Sequence, residues 1–513
     1  MTGNPSIVFN NIPGSGLVAP LFAFEVNSGG GYTSNSRLLL VGHKLSSAPA
    51  ANNAPIFIGS QADADFNFGA GSMLREMFRI TRQNAPVQEV WCLPVPETGV
   101  AQTWTLTIGA APGIAGVGYI DIHGERIAIT IAATDTPTTI AAALAAAITA
   151  YANPLTGATL PFTAQAAAAV VTLTANHLGA LFAGEDPTYL PGAPDRIGGN
   201  LLTSTIVTVA SGVAGTGVPT LTTGLAALGD DQFDGIVVPW SDAASLAAVS
   251  ATLNDVSGRW AYLRQSYGHA FTVNTGVASG QTTLGLSLND RHITVIPRLP
   301  GGPTGTPHPP WLWAAGVAAR VMPWLGDYST GNVSRAQNGL IVQGLLPPRN
   351  RSAIWGYPTR NSFVQSGISS WTTDVYGNVA IDKLVTTYQR GSGGQPDATF
   401  RDVQSLFQVT HALRYIRTSL ANEHSNKAIV DVNPGALGSL CTPKDIKATI
   451  VGACNNLTRM GIVEKTDFDQ IVVKRDANTP QRVNVFLPLS RVKPLDVLAA
   501  NATFYNGAIP QAA

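Results

Sequence analysis

Arg37-Leu38-Leu39-Leu40-Val41-Gly42 is apolar from Leu38 to Val41, with no alternation of polar and apolar positions. A strand buried on both faces of a parallel sheet reads this way; a strand with one wet face does not. The residues after it keep an α/β rhythm. Ser72 stands where an N-cap is needed, ahead of Met73, Leu74, Met77 and Phe78 at helical spacing. Pro86 stops that helix, and Val87–Val95 reads as the next strand. The rhythm then breaks and resumes only after Val218. Phe233–Val238 is a strand, Asp242–Asn254 a helix, Ala270–Val273 and Ile293–Ile296 strands, and Pro310–Leu325 a Trp-rich helix. Alternation on both sides of residues 102–209 predicts one parallel-sheet core domain with a second domain inserted in it.

The interruption is a change of composition, to Ala, Thr and Gly with few charges. Thr105–Ile108, Val117–Asp121 and Ile127–Ile131 read as short strands, the last two joined across His123-Gly124. Thr136-Pro137 supplies an N-cap and an N1 proline for a helix to about Tyr151, and Val170–Thr174 and Ile206–Val209 add strands. This predicts a small α+β domain. In the last third, Leu406, Val409, Leu413, Ile416 and Leu420 form one apolar stripe on a helix over Arg401–Leu420. Thr442-Pro443-Lys444-Asp445 opens a helix that Gly461 ends. Asp469–Arg475 and Arg482–Leu489 alternate about the turn Asp476–Pro480, as antiparallel strands do.

Both ends of the chain differ from this. Ile7-Val8-Phe9 and Leu21-Phe22-Ala23-Phe24 are strand-like patches separated by Pro13-Gly14-Ser15-Gly16 and closed by Gly29-Gly30-Gly31, punctuation too dense to fold alone. Asn501–Ala513, with Phe504 and Tyr505, is similar. The expected organisation is an N-terminal extended arm (1–36), a core α/β domain in two parts (37–101 and 210–345), the inserted α+β domain (102–209), a C-terminal α+β domain (346–500) and a C-terminal arm (501–513). Strand-like arms need a partner sheet.

Composition narrows the function. Of 513 residues only 12% are charged, against about 25% in an ordinary soluble protein. Lys+Arg 31 and Asp+Glu 31 cancel, which argues against a nucleic-acid partner and leaves little self-repulsion between copies. The balance hides a polarity: residues 1–350 carry 14 basic and 19 acidic residues, and residues 351–513 carry 17 and 12. Three cysteines, Cys92, Cys441 and Cys454, form no CxxC pair and read as buried apolar residues. No signal peptide is visible and no run approaches the ~18 apolar residues of a membrane span. The expectation is a soluble protein made in a cytoplasm, with no membrane partner.

Motifs of catalysis are missing: no Walker A, GxSxG, HExxH or EF-hand pattern occurs. Gly69-Ala70-Gly71 precedes a helix, but Leu74 stands where a dinucleotide fingerprint needs its third glycine. The eight histidines lack metal-like pairing, and His411, opposite most of the Leu406–Leu420 stripe, reads as solvated or capping. Asp230, Asp231 and Asp234, like Asp63 and Asp65, read as solvated turns, not a cation loop. Trp313 and Trp324 lie about three turns apart and share a helix face, while Trp311 falls on the other side; all three read as core or subunit interface. The expected catalytic residues, metal ligands and cofactors are none.

Ile7–Pro13, Pro20–Glu25, Arg37–Gly42, Ala48–Ile58 and Phe68–Ser72 resemble the opening of tail sheath proteins of Mu-like contractile bacteriophages. The inserted unit, with Ile127–Ile131 then Asp135–Ala150, is similar to the protruding domain of that family. The resemblance implies a structural protein and not an enzyme. It would form hexameric rings stacked as a helical sheath around a tail tube, storing energy in the extended state and contracting to drive the tube through the host envelope. It implies that the arms (Ile7, Val8, Phe9, Phe504, Tyr505) pair with a sheet of a neighbouring C-terminal domain, for which Ile471, Val473, Val483 and Val485 are the candidates. It places the C-terminal domain along the tube. There Lys444, Lys447 and Arg459 share one arc of a helix, opposite Ile446, Ile450 and Leu457, and form a basic face suited to an acidic tube surface. The implied partners are copies of the chain, the tube protein, and baseplate and tail terminator proteins. The implied location is the virion, after assembly in the host bacterial cytoplasm. Two alternatives stay open: the sheath of a phage-tail-like bacteriocin or injection system, and an α/β enzyme with an inserted domain.

Overall fold

The computed structural model describes residues 36–191 and 199–502. Arg37–Gly42 is strand β1, followed by β2 (Ile56–Phe57), helices α1 (Gln61–Phe68) and α2 (Met73–Asn84), and β3 (Glu89–Pro94). The next elements are β4 (Ala101–Ile108), β5 (Gly116–Ile122), β6 (Glu125–Ile131), α3 (Pro137–Thr149), β7 (Phe162–Ala167), β8 (Val170–Leu178), β9 (Thr188–Tyr189) and β10 (Val207–Ser211). Then come α4 (Thr222–Ala226), β11 (Gly235–Val237), α5 (Ala243–Leu253), β12 (His269–Thr275), α6 (Ala278–Ser287), β13 (Ile293–Arg298) and α7 (Pro310–Leu325). The last third holds α8 (Tyr357–Gln365), β14 (Ser370–Thr373), β15 (Val379–Lys383), α9 (Val403–His424), β16 (Ala428–Ile429), β17 (Leu440–Cys441), α10 (Pro443–Arg459), β18 (Val472–Arg475) and β19 (Val483–Phe486).

The result is a mixed α/β molecule with several sheets. The largest runs β13-β12-β11-β1-β3-β2, parallel throughout except for β2 against β3. β1 is central, and Leu38 to Val41 are each 0% exposed, which is why its sequence does not alternate. The strands on either side of it are separated in sequence by β4–β10, which build sheets of their own: β10-β4-β8-β7 and β6-β5-β9. α2 packs on α7, and α7 lies against β1, β11, β12 and β13. Surrounded in this way, α7 buries both Trp311 and Trp313, which lie on different sides of it, and packs the half-buried Trp324 against the core.

Local signals explain the helix starts. The Ser72 side chain accepts from the Arg75 amide at α2, and Thr136 and Thr442 each close a capping box, with Thr139 and Asp445. α9 departs from its expected stripe. Its first half is buried almost all round, whereas Leu413 is 41% exposed.

Buried polar contacts fasten β4–β10 to the main sheet. The Glu76 carboxylate, between Arg75 and Arg79, accepts from the Thr159 amide at 3.1 Å and the Thr159 hydroxyl at 2.8 Å. Arg298 at the end of β13 meets Glu185 twice, Nη1 to Oε1 at 2.5 Å and Nη2 to Oε2 at 3.1 Å. Their side chains are 1% and 5% exposed. Breaking a buried pair strands a charge, so Arg298→Met is expected to destabilise the fold by about 3–5 kcal/mol. Glu185→Leu with Arg298→Met should recover most of that loss. Urea denaturation of the two variants checks both values.

Candidate functional site

Parallel α/β sheets bind ligands outside the carboxyl ends of their strands, where the strand order reverses. Here that place lies between β1 and β11, and side chains fill it. His43, the residue after β1, meets the Val95 carbonyl through Nδ1 at 2.9 Å and lies 5.0 Å from the Trp240 ring, edge on. His177 of β8 sits 5.6 Å from His43. Its Nε2 accepts the Met73 amide at 2.8 Å, so Nδ1 carries the proton and donates it to Glu97 at 2.5 Å. A 240 Å³ cleft remains beside Trp240; at its rim Glu185 pairs with Arg298, and Asp242 Oδ1 accepts the Ser245 amide as the N-cap of α5.

The other candidate groups are engaged as well. Asp234 is buried, not a solvated turn, and pairs with Arg414 at 2.6 Å. Asp230 pairs with Arg264, Asp65 with Arg75, and Asp63 closes the capping box of α1. His411 is not solvated either: it stacks on Tyr328, centroids 3.9 Å apart at 14°, and burial followed by the nearby Arg414 pushes its pKa down to about 4. Among the described residues no group of three or more His, Cys, Asp or Glu is placed to hold a metal.

The surfaces left for function lie in the last third. β18 and β19 form a two-stranded antiparallel sheet, in which Val472 is opposite Phe486 and Val473 opposite Val485. Ile471, just before β18, is 2% exposed and packs with Ile450 and Cys454 of α10, with Val473 against the same cluster. The face chosen in sequence, Ile471 and Val473, is therefore the inner one. Val483 is half-buried and Val485 43% exposed. Sequence reasoning missed the outer face, where Val472 is 39% and Phe486 63% exposed. The cross-strand register that joins those two would have found it. Among the described residues this sheet has two strands, so each keeps an open edge.

On α10, Lys444 and Arg459 are exposed and Lys447 is half-buried. None of the three forms an ion pair with a described residue. Lys444 and Lys447 stand at the first turns, while Arg459, about 22 Å along the axis, borders a cleft with Arg335 and Lys493. Ile7, Val8, Phe9, Phe504 and Tyr505 lie outside the described residues.

Side chains occupy most of the main sheet's crevice, and the separate β18–β19 sheet has open edges among the described residues. Residues 214–387 match the model of the phage tail sheath protein central domain. Over 498 residues the chain is 27% identical to the Mu-like prophage FluMu tail sheath protein of Haemophilus influenzae, covering 94% of this chain and 96% of that one. A sheath tail protein from Listeria innocua aligns with TM-score 0.47 at 13% identity, covering 90% of this chain and 93% of that one. One from Desulfitobacterium hafniense aligns with TM-score 0.48 at 12% identity, covering 93% and 97%. The chain is thus similar to phage tail sheath proteins, over residues 214–387 by the family model and over nearly its whole length by the prophage relative.

The plugged crevice has a consequence in acid. Burial, reinforced by neighbouring His177, pushes His43 down to about 4, and burial holds His308 at about 3. An unfolded histidine takes its proton near 6.5, so the unfolded chain binds protons first as pH falls. The stability held by neutral His43 is complete above about 6.5 and is lost between there and about 4, at roughly 1.4 kcal/mol per pH unit. His43→Gln should flatten the pH dependence of the unfolding free energy in that window by about one proton. Equal slopes for variant and wild type would refute the assignment.

Proposed function

We propose that the chain polymerises as stacked hexameric rings around a tail tube, forming an extended helical sheath whose contraction drives the tube through a bacterial envelope. The observation that carries this reading is the similarity to a Mu-like prophage tail sheath protein over nearly the whole chain. In this proposal residues 102–209 protrude outward on the core domain of 37–101 and 210–345. Residues 346–500 line the tube, and the arms 1–36 and 501–513 cross to neighbouring copies. Ile7, Val8, Phe9, Phe504 and Tyr505 add strands to a neighbour's β18–β19 edge. The outward Val472 and Phe486 support that role, because an exposed apolar edge strand is a template for pairing. Backbone ladders of this kind hold while rigid bodies rotate about them. The further partners are the tube protein and the baseplate and tail terminator proteins. The assembly belongs to the virion and is built in the host bacterial cytoplasm.

Negative-stain microscopy of the purified chain tests the assembly: sheath-like tubes or rings are expected, and a monodisperse monomer at high concentration would overturn it. Deleting Asn501–Ala513 should leave a folded monomer that does not polymerise; normal tubes from that variant would refute the arm model. Lys444 and Lys447 are assigned to an acidic tube surface through screened contacts worth about 0–1 kcal/mol each, weak enough to release on contraction. Reversing both to Glu should lower the yield of extended sheath on tubes, and an unchanged yield would sink that assignment.

A further inference from the structure

The last described residues leave the body in a defined way. Ser490–Val492 runs antiparallel to Ile462–Glu464: the Glu464 amide donates to the Ser490 carbonyl at 2.7 Å and the Val492 amide to the Ile462 carbonyl at 3.1 Å. Past Val492 the ladder stops: Pro494 is half-buried, while Lys493 and Leu495–Ala502 are exposed. Leu495 is 71%, Val497 76% and Leu498 81% exposed, an apolar run with nothing over it among the described residues.

One side chain holds this run in place. Asp496 Oδ2 lies 2.6 Å from Lys383 Nζ, at the end of β15, and the same ammonium lies 2.9 Å from Asp402 Oδ1. Asp402 occupies the N-cap of α9, but its carboxylate does not cap the helix. It faces Lys383, with Arg401 and Arg491 each 3.7 Å away. Arg491 also donates to the Thr399 carbonyl at 3.1 Å. Three cations thus face two carboxylates, and the tail supplies one of each. Removing Asp496 leaves Asp402 neutralised, so the change is confined to the tail.

We propose that the Lys383–Asp496 ion pair is a latch that holds the root of the C-terminal arm and aims the exposed segment Leu495–Ala502 at the β18–β19 edge of a second copy of this chain. The inference rests on the arm reading under Proposed function and names the residue that positions the arm. The second copy is the occupant because the chain carries both halves of the contact: an exposed apolar segment without backbone partners among the described residues, and a sheet, open-edged among the same residues, with Val472, Val485 and Phe486 exposed. Asp496 acts through geometry, so it is a positioning residue and its loss should be read as freedom of the tail.

The test uses the full chain with a nitroxide at Val497→Cys, since Cys92, Cys441 and Cys454 are all buried. In dilute monomer, Asp496→Ala should turn an immobilised spectrum into a mobile one, and in pelleting assays it should raise the concentration needed for assembly roughly fivefold. Asp496→Glu, which can still reach Lys383, should keep both close to wild type. An equally restrained label in Asp496→Ala overturns the latch. A freed label with unchanged assembly overturns its role in aiming the arm. The arm reading itself stands or falls separately, on whether the chain lacking 501–513 polymerises.

Discussion

Arg298 ends β13 with its guanidinium almost wholly buried, and a charge in that position must be answered within the fold. The answer is Glu185, 113 positions earlier in the chain, in the segment between β8 and β9. That pair constrains the rest of the molecule. The strands between β3 and β11 cannot swing away from the parallel sheet without stranding two buried charges, which costs several kcal/mol. Glu76 with Thr159, and the Met73 amide with His177, add contacts on the same seam. The interpolated sheets and the main sheet therefore behave as one body, and the crevice where a parallel sheet would take a small molecule is occupied by the seam itself.

How much of this was legible depends on where the signal resides. β1, α2, α3, α7 and α10 are readable because their determinants are local: an unbroken apolar run, a Ser or Thr cap, a proline at the first helical position. α6 is not, since it contains Gly280 and Gly285 and has no strong apolar face. Its Gly285 is there because a Cβ would fall 2.1 Å from the Ser366 carbonyl, a constraint imposed by a segment 81 positions away. Asp234 misleads in the same way: beside Asp230 and Asp231 it reads as a wet turn, while Arg414, 180 positions later, takes it into the interior. Pairing across such distances leaves no trace in composition or period.

The candidate site divides along the same line. That the Asp469–Leu489 region is a hairpin could be read from alternation about a turn, but which face is inward could not, because it depends on Ile450 and Cys454 of α10. Period two says only that Val472 and Lys474 share one side and Ile471 and Val473 the other. Packing on α10 decides between them, and it leaves Val472 and Phe486 to the outside.

Strand addition through an edge does not depend on that choice of face. A joining strand bonds to backbone groups along the edge, so either face of β18–β19 can be packed while the edge stays open. This separates two demands that would otherwise conflict in one small sheet: the inner face anchors the hairpin to α10, and the edge remains free for another chain. The tail is arranged on the same logic, with Asp496 spent on the body and Leu495 and Val497 left outward. In the hairpin the period of two assigns alternate positions to holding and to reaching; in the tail one ion pair does the holding. A chain of low charge, which barely repels its own copies, can then be joined to them by backbone hydrogen bonds and a few apolar side chains.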